Sequence, residues 1–158
     1  MSKESSPKIT IVRTVFILYT MLMLWLLLGR SQGDYTENYF AQLMDRIALK
    51  PFETIGNYFR VLRIGSLSQK RIAVINLVGN VILFVPFGLL LPGLFEKFRS
   101  FFPFFLGCLG AIVLVEITQI LLLVGFLDID DVILNMAGFC IGYGVYKLFL
   151  RIRRKASQ

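Results

Sequence analysis

Four stretches of the chain are long and almost free of charge: positions 13–29, 72–95, 101–126 and 132–150. About 20 apolar residues cross a hydrocarbon core of roughly 30 Å as a helix, so the two middle stretches are long enough to span with some tilt. The last runs from Val132 to Tyr146 and continues through Leu148–Leu150, with Lys147 able to extend its head to the interface. Within lipid the backbone has to satisfy its own hydrogen bonds, which predicts a helix for each span. The first stretch follows Lys3, Lys8 and Arg13, a basic start that a cleaved signal peptide would share. Residues 29–33 offer no clear small-x-small cleavage site, so this stretch reads as a retained helix.

Segment 34–66, between the first two spans, has a different pattern. Tyr35, Tyr39, Phe40, Leu43, Met44 and Ile47 recur at helical spacing, and Ile55, Tyr58, Phe59 and Leu62 repeat it after Pro51. These pieces are too polar to span and are rich in aromatics, which predicts amphipathic helices lying in the interface or packed as a cap over the bundle. The reading is one domain, residues 1–158, with an all-α fold: a four-helix transmembrane bundle and an interfacial amphipathic segment between spans one and two. Pro86 falls in the middle of span two and predicts a kink. Gly138 and Gly142 have small-x3-small spacing, which lets helices approach closely, and Gly88 is read with them as a packing position.

Composition agrees with this class. Hydrophobic residues make up 56% and charged residues 17%, against about 45–50% and about 25% in ordinary globular chains. The net charge of +7 sits at the ends of apolar runs, where anionic headgroups explain it better than nucleic acid does. Lys97 and Arg99 lie between spans two and three, and Lys147, Arg151, Arg153, Arg154 and Lys155 close the chain. By the positive-inside rule both termini are expected in the cytoplasm. Seven basic residues between Arg30 and Arg71 oppose this, but that segment is long and carries Asp34, Glu37, Asp45 and Glu53 as well. There is no histidine, which excludes a Ser-His-Asp triad, a Cys-His pair and a histidine-ligated zinc within this chain. Cys108 and Cys140 lie in apolar runs and read as small hydrophobes.

The polar positions inside the spans are then conspicuous, because an ionisable group in lipid needs a partner or a purpose. Glu116 and Gln119 share one face of span three, and Asn76 and Asn80 share one face of span two. Asp128, Asp131 and Asn135 follow i, i+3, i+7 spacing around the start of span four. With span three ending at 126, Glu116 lies about 12–15 Å below its outer end. The groups therefore converge on one outward-facing polar cavity in the outer half of the bilayer. For the amides, interhelical glue is an equally good reading. Glu116 is an expensive residue to use as glue, and one aspartate of the 128–131 cluster is expected to cap span four.

Three motifs carry a resemblance. Asn76-x3-Asn80-Val-Ile-Leu-Phe-Val-Pro-Phe-Gly-Leu-Leu-Leu, then Glu116-x2-Gln119, then Asp128-Ile-Asp-Asp-Val-Ile-Leu-Asn135-x2-Gly138 resembles the VanZ-like membrane proteins. Leu49-Pro51-Phe52 is similar to a short element that the family carries before its second span. Ala48 stands where that element often has asparagine. Gly125 stands where many members have an arginine, so a charge pair between that arginine and a carboxylate is absent; glycine also occurs there in the teicoplanin-resistance branch. The resemblance implies a bacterial envelope protein with a role in glycopeptide resistance, teicoplanin above all, and supplies no catalytic residues.

The preferred reading is a ligand-binding membrane protein rather than an enzyme. Its partners are membrane lipids or a lipid-linked cell-wall precursor, not nucleic acid, held by Asn76, Asn80, Glu116, Gln119, Asp128, Asp131 and Asn135. No cofactor and no metal are expected. The alternative is a membrane enzyme acting on a lipid-linked phosphate or glycan, with Glu116, Asp128, Asp130 and Asp131 offering oxygen ligands to a divalent cation. A small transporter would use similar residues. The oligomeric state is left open.

Overall fold

In the computed structural model, which describes residues 7–29 and 38–156, the four apolar stretches form an all-α bundle. The helices long and apolar enough to cross a membrane are Ile9–Leu28, Leu67–Leu94, Phe101–Leu121 and Ile129–Ala156. Span one is α1 (Pro7–Leu28), span three is α6 (Phe101–Leu121) and span four is α7 (Ile129–Ala156). Span two is broken into α4 (Leu67–Ile82) and α5 (Val85–Leu94), with Pro86 in the first turn of α5. Proline has no N–H for the Ile82 carbonyl, so the ladder stops and restarts instead of bending smoothly. At the break, the Tyr19 hydroxyl of α1 donates to the Leu83 carbonyl at 2.7 Å. A short 3-10 turn, Glu96–Arg99, connects α5 to α6.

Several span ends differ from the hydropathy pattern. Span two begins at Leu67 rather than 72, because Ser66 and Gln69 form a capping box that starts the helix among polar residues. Span three stops at Leu121 rather than 126. Its end is a Schellman turn, in which Leu123 N–H donates to Ile120 and Val124 N–H to Gln119. Leu123 takes the left-handed φ of 53° that the turn requires. The apolar residues that follow leave the helix and lead into a short strand. Span four begins at Ile129 and continues through the basic tail to Ala156.

That strand ties the bundle to the segment between spans one and two. The segment contains α2 (Tyr39–Asp45), β1 (Ile47–Ala48) and α3 (Glu53–Ile64); the expectations at Asp34, Tyr35 and Glu37 fall outside the described residues, as does Lys3. Strand β1 pairs in parallel with β2 (Leu127–Asp128), Ile47 opposite Leu127 and Ala48 opposite Asp128. Around the pairing, Tyr39 Oη donates to the Leu121 carbonyl at 2.8 Å and the Arg46 guanidinium donates to the Leu123 carbonyl. These carbonyls follow the last full turn of α6 and have no helical partner of their own. The segment is therefore a cap bonded to the α6–α7 connection. On α3, Ile55, Tyr58 and Leu62 are partly buried against the bundle, whereas Phe59, expected on that face, is exposed along with Phe40, Phe52 and Ile64.

The bundle is held by close backbone contact. A Cβ placed on Gly138 would lie 2.2 Å from the Val81 carbonyl oxygen, one on Gly142 2.1 Å from that of Val85, and one on Gly88 2.1 Å from that of Phe139. Only glycine fits at these three positions, and α7 lies directly on the α4–α5 break because of them. The core beside this contact is aromatic: Phe104 stacks on Tyr143 at 4.6 Å and Phe84 packs on Phe139 at 5.1 Å between centroids. Large apolar side chains such as Trp25, Ile75 and Leu114 point outward, as lipid-facing positions do.

Candidate functional site

The end of the bundle beneath the cap gathers most of the polar residues singled out above. Asp128 stands immediately before α7, and its Oδ1 accepts from the Asp130 N–H at 2.8 Å, the bond of an N-cap. Asp130 is fully buried and reaches the other way. Its two oxygens accept from the Phe52 N–H at 2.6 Å and the Ile55 N–H at 3.0 Å, capping α3 from outside its own segment. Phe52 precedes α3 with a left-handed φ of 64°, which points these N–H groups at the carboxylate. The Leu49-Pro51-Phe52 element and the aspartate cluster are thus two sides of one contact. Asp131, one residue on, accepts from Asn80 Nδ2 at 2.6 Å, joining α7 to α4. The three neighbouring carboxylates therefore serve three different partners.

Glu116 and Asn135 lie deeper. Glu116 is 3% exposed and Asn135 is 3% exposed. The Glu116 carboxyl group faces the Asp128 backbone and lies within electrostatic reach of the Asp131 and Asp128 side chains. Because α6 ends at Leu121, Glu116 sits about 7.5 Å from the helix end rather than the greater depth expected from position 126. Among the described residues, Glu116 Oε2 and Asn135 Oδ1 are buried side-chain oxygens with no hydrogen-bond partner. An amide or carboxylate oxygen accepts, so each of the two calls for a donor. Leaving such an atom unpaired costs about 1–3 kcal/mol.

Two of the predicted residues make their hydrogen bonds to backbone carbonyls instead. Gln119 donates to the Leu27 carbonyl at 2.9 Å, fastening the end of α1 to α6. Asn76 donates back to the Ile72 carbonyl at 2.8 Å along its own helix. Asn80, Glu116, Asp128 and Asp131 come together under the cap, Asn135 lies one turn along α7 from Asp131, and Tyr58 of α3 adds a neighbour that the apolar spacing had concealed. Its phenol is pushed above the usual tyrosine range by burial, and then by the negative charges of Asp131 and Asp128. Among the described residues no group of three or more acidic or thiol side chains is arranged to hold a metal ion, and Asp130 is committed to α3.

An apolar crevice of about 270 Å³ runs between α1 and α6. Phe16, Met23 and Leu27 line one wall and Gly107, Ala111 and Val115 the other, with Phe87 and Phe139 at its back. Leu27 and Val115 mark its end nearest the polar cluster.

The VanZ/LLP1 family model matches residues 16–150. Protein VanZ of Enterococcus faecium is 33% identical over 138 residues, covering 86% of this chain and 73% of that protein. No solved structure matches the chain. All three motifs, the capped Pro51-Phe52 turn and all three glycine contacts lie inside the matched region. This multi-pass membrane protein belongs to the VanZ/LLP1 family.

Proposed function

We propose that this VanZ-like, resistance-associated protein binds the head of an envelope lipid or lipid-linked cell-wall intermediate at the capped polar cluster. The observation carrying this reading is the pair of unpartnered buried acceptors, Glu116 Oε2 and Asn135 Oδ1. A head bearing hydroxyl or amino donors would supply what they lack, while an acyl or prenyl chain would suit the crevice that begins at Leu27 and Val115. Asn80 and Asp131, both partly exposed, form the entrance. An acidic site selects against a bare phosphate and for the donor-rich part of the head.

The basic connection at Lys97 and Arg99 and the basic end of α7 support an orientation with both termini in the cytoplasm of a bacterial cell. The capped cluster then faces the outer leaflet, where lipoglycopeptides act. Occupying a lipid there would change the envelope surface that teicoplanin meets.

The test is teicoplanin susceptibility of cells expressing the full chain, with membrane levels checked. Glu116→Gln and Asn135→Ala, each at normal abundance, are expected to return susceptibility to that of cells without the protein. Asp131→Ala is expected to weaken protection through the lost bond to Asn80. Full protection by Glu116→Gln and Asp131→Ala at normal abundance would overturn the reading.

A further inference from the structure

At the opposite end of the bundle, we infer a second site, one for the phosphate of an anionic phospholipid, between the start of α6 and the basic end of α7. It is independent of the capped cluster and of its ligand, and takes from the proposal above only the orientation of the bundle. A hollow of about 680 Å³ opens there, with Arg99 and Ser100 on one side and Lys147, Arg151 and Arg154 on the other. The three α7 cations are spaced i, i+4, i+7, so they rise along one face of the helix, one turn beyond Tyr143.

The framework of this hollow is fixed by direct bonds. Tyr143 Oη and Lys147 Nζ both donate to the Arg99 carbonyl at 2.8 Å, pinning the 3-10 turn against α7. The Lys147 ammonium also sits over the Tyr143 ring at 5.2 Å. Arg99 pairs with Glu96 at 3.4 Å. Among the described residues neither Arg151 nor Arg154 has a carboxylate within ion-pair range, and α7 carries no acid after Asp131. Two guanidinium groups therefore face the hollow uncompensated, in the geometry that binds phosphate oxygens two at a time.

Phe101, Tyr143 and Leu150 supply the apolar part of the lining. That mixture selects a lipid over a soluble anion: the phosphate meets the arginines while the glycerol and first methylenes meet the rings. Basic hollows between transmembrane helices on the cytoplasmic side are suited to such headgroups. The site would hold the chain against the inner leaflet by a bound lipid rather than by diffuse attraction.

The experiment is lipid retention by the purified full-length protein, read by native mass spectrometry after extraction from vesicles containing equal phosphatidylglycerol and phosphatidylcholine. The expected result is preferential retention of phosphatidylglycerol, falling roughly tenfold in Arg151→Gln/Arg154→Gln. Lys97→Gln/Lys155→Gln, which removes two cations outside the hollow, is expected to keep the preference. Arg151→Lys/Arg154→Lys keeps the charge, and partial recovery in it shows that the loss does not come from misfolding. An equal loss in the Lys97/Lys155 variant would overturn the site, because the attraction would be diffuse. Displacement of the lipid by millimolar inorganic phosphate would overturn the lipid assignment. Retention of both lipids in equal amounts by the unaltered protein would overturn it as well.

Discussion

The Asp130 carboxylate accepts a hydrogen bond at 2.6 Å from the backbone N–H of Phe52, a residue 78 positions earlier in the chain. With the second bond to Ile55, this carboxylate fixes the start of α3 to the first turn of α7. It caps the N-terminus of a helix of a different segment, and the Asp130 side chain that does so is fully buried. Asp130→Ala is expected to destabilise the protein by about 2–4 kcal/mol, since two charge-assisted bonds are lost and two N–H groups lose their acceptor. Thermal unfolding in detergent gives the size of the loss, and limited proteolysis between α2 and α4 shows its place: cleavage should rise there first.

The glycines separate into two sets. Gly138→Ala is expected to cost about 1–3 kcal/mol, because the new methyl meets the Val81 carbonyl and helices must part. Gly144 lies on the same helix with nothing within 4 Å of the added Cβ. Gly144→Ala should be neutral or stabilising by up to about 1 kcal/mol through helix propensity alone. Equal effects of the two substitutions on the unfolding midpoint would contradict the close approach of α7 to the α4–α5 break.

The two asparagines of α4 make a similar contrast. Asn80→Ala leaves Asp131 without its amide donor and is expected to cost about 1–3 kcal/mol. Asn76→Ala removes only a bond to its own helix and is expected to change stability by less than about 0.5 kcal/mol. Unfolding measurements on the pair, at matched expression, decide whether the polar residues of span two act alike.

Alkaline pH tests the placement of α3. The Tyr58 phenol has its folded-state value raised above the ordinary 10.0 by burial and the nearby Asp131 and Asp128 charges. The folded protein therefore holds that proton more tightly than the unfolded chain does. The stability this confers is complete below about pH 10 and is lost as pH rises through the raised value. The unfolding midpoint of the unaltered protein should fall more steeply above about pH 10 than that of Tyr58→Phe, which has no phenolic proton to lose. Parallel pH curves would place Tyr58 away from the two aspartates.

Much of the bundle was legible in the chain because transfer into lipid leaves a strong local signature. The four spans, their order and the close-packing spacing of Gly138 and Gly142 are all readable within windows of about 20 residues. The ends were less so. Leu122–Phe126 is as apolar as the helix before it, and only the backbone bonds of the Schellman turn show that it has left the helix. Proximity in sequence also could not divide the aspartates among α7, α3 and α4, because side-chain direction changes by about 100° per residue on a helix. Gln119 and Asn76 shared faces with functional-looking neighbours, yet their amides found nearer carbonyls. The cap contacts depend on pairing across about 80 residues, for which hydropathy carries no information.

The parallel pairing of Ile47–Ala48 with Leu127–Asp128 has a consequence for biosynthesis. Synthesis proceeds from the N-terminus, so the first strand leaves the ribosome long before its partner exists. The cap waits while spans two and three insert, and it can close only when the start of α7 arrives. Carboxylates that end up buried stay hydrated until that moment, and a chain that stalls before residue 127 would carry an open, proteolytically vulnerable lobe.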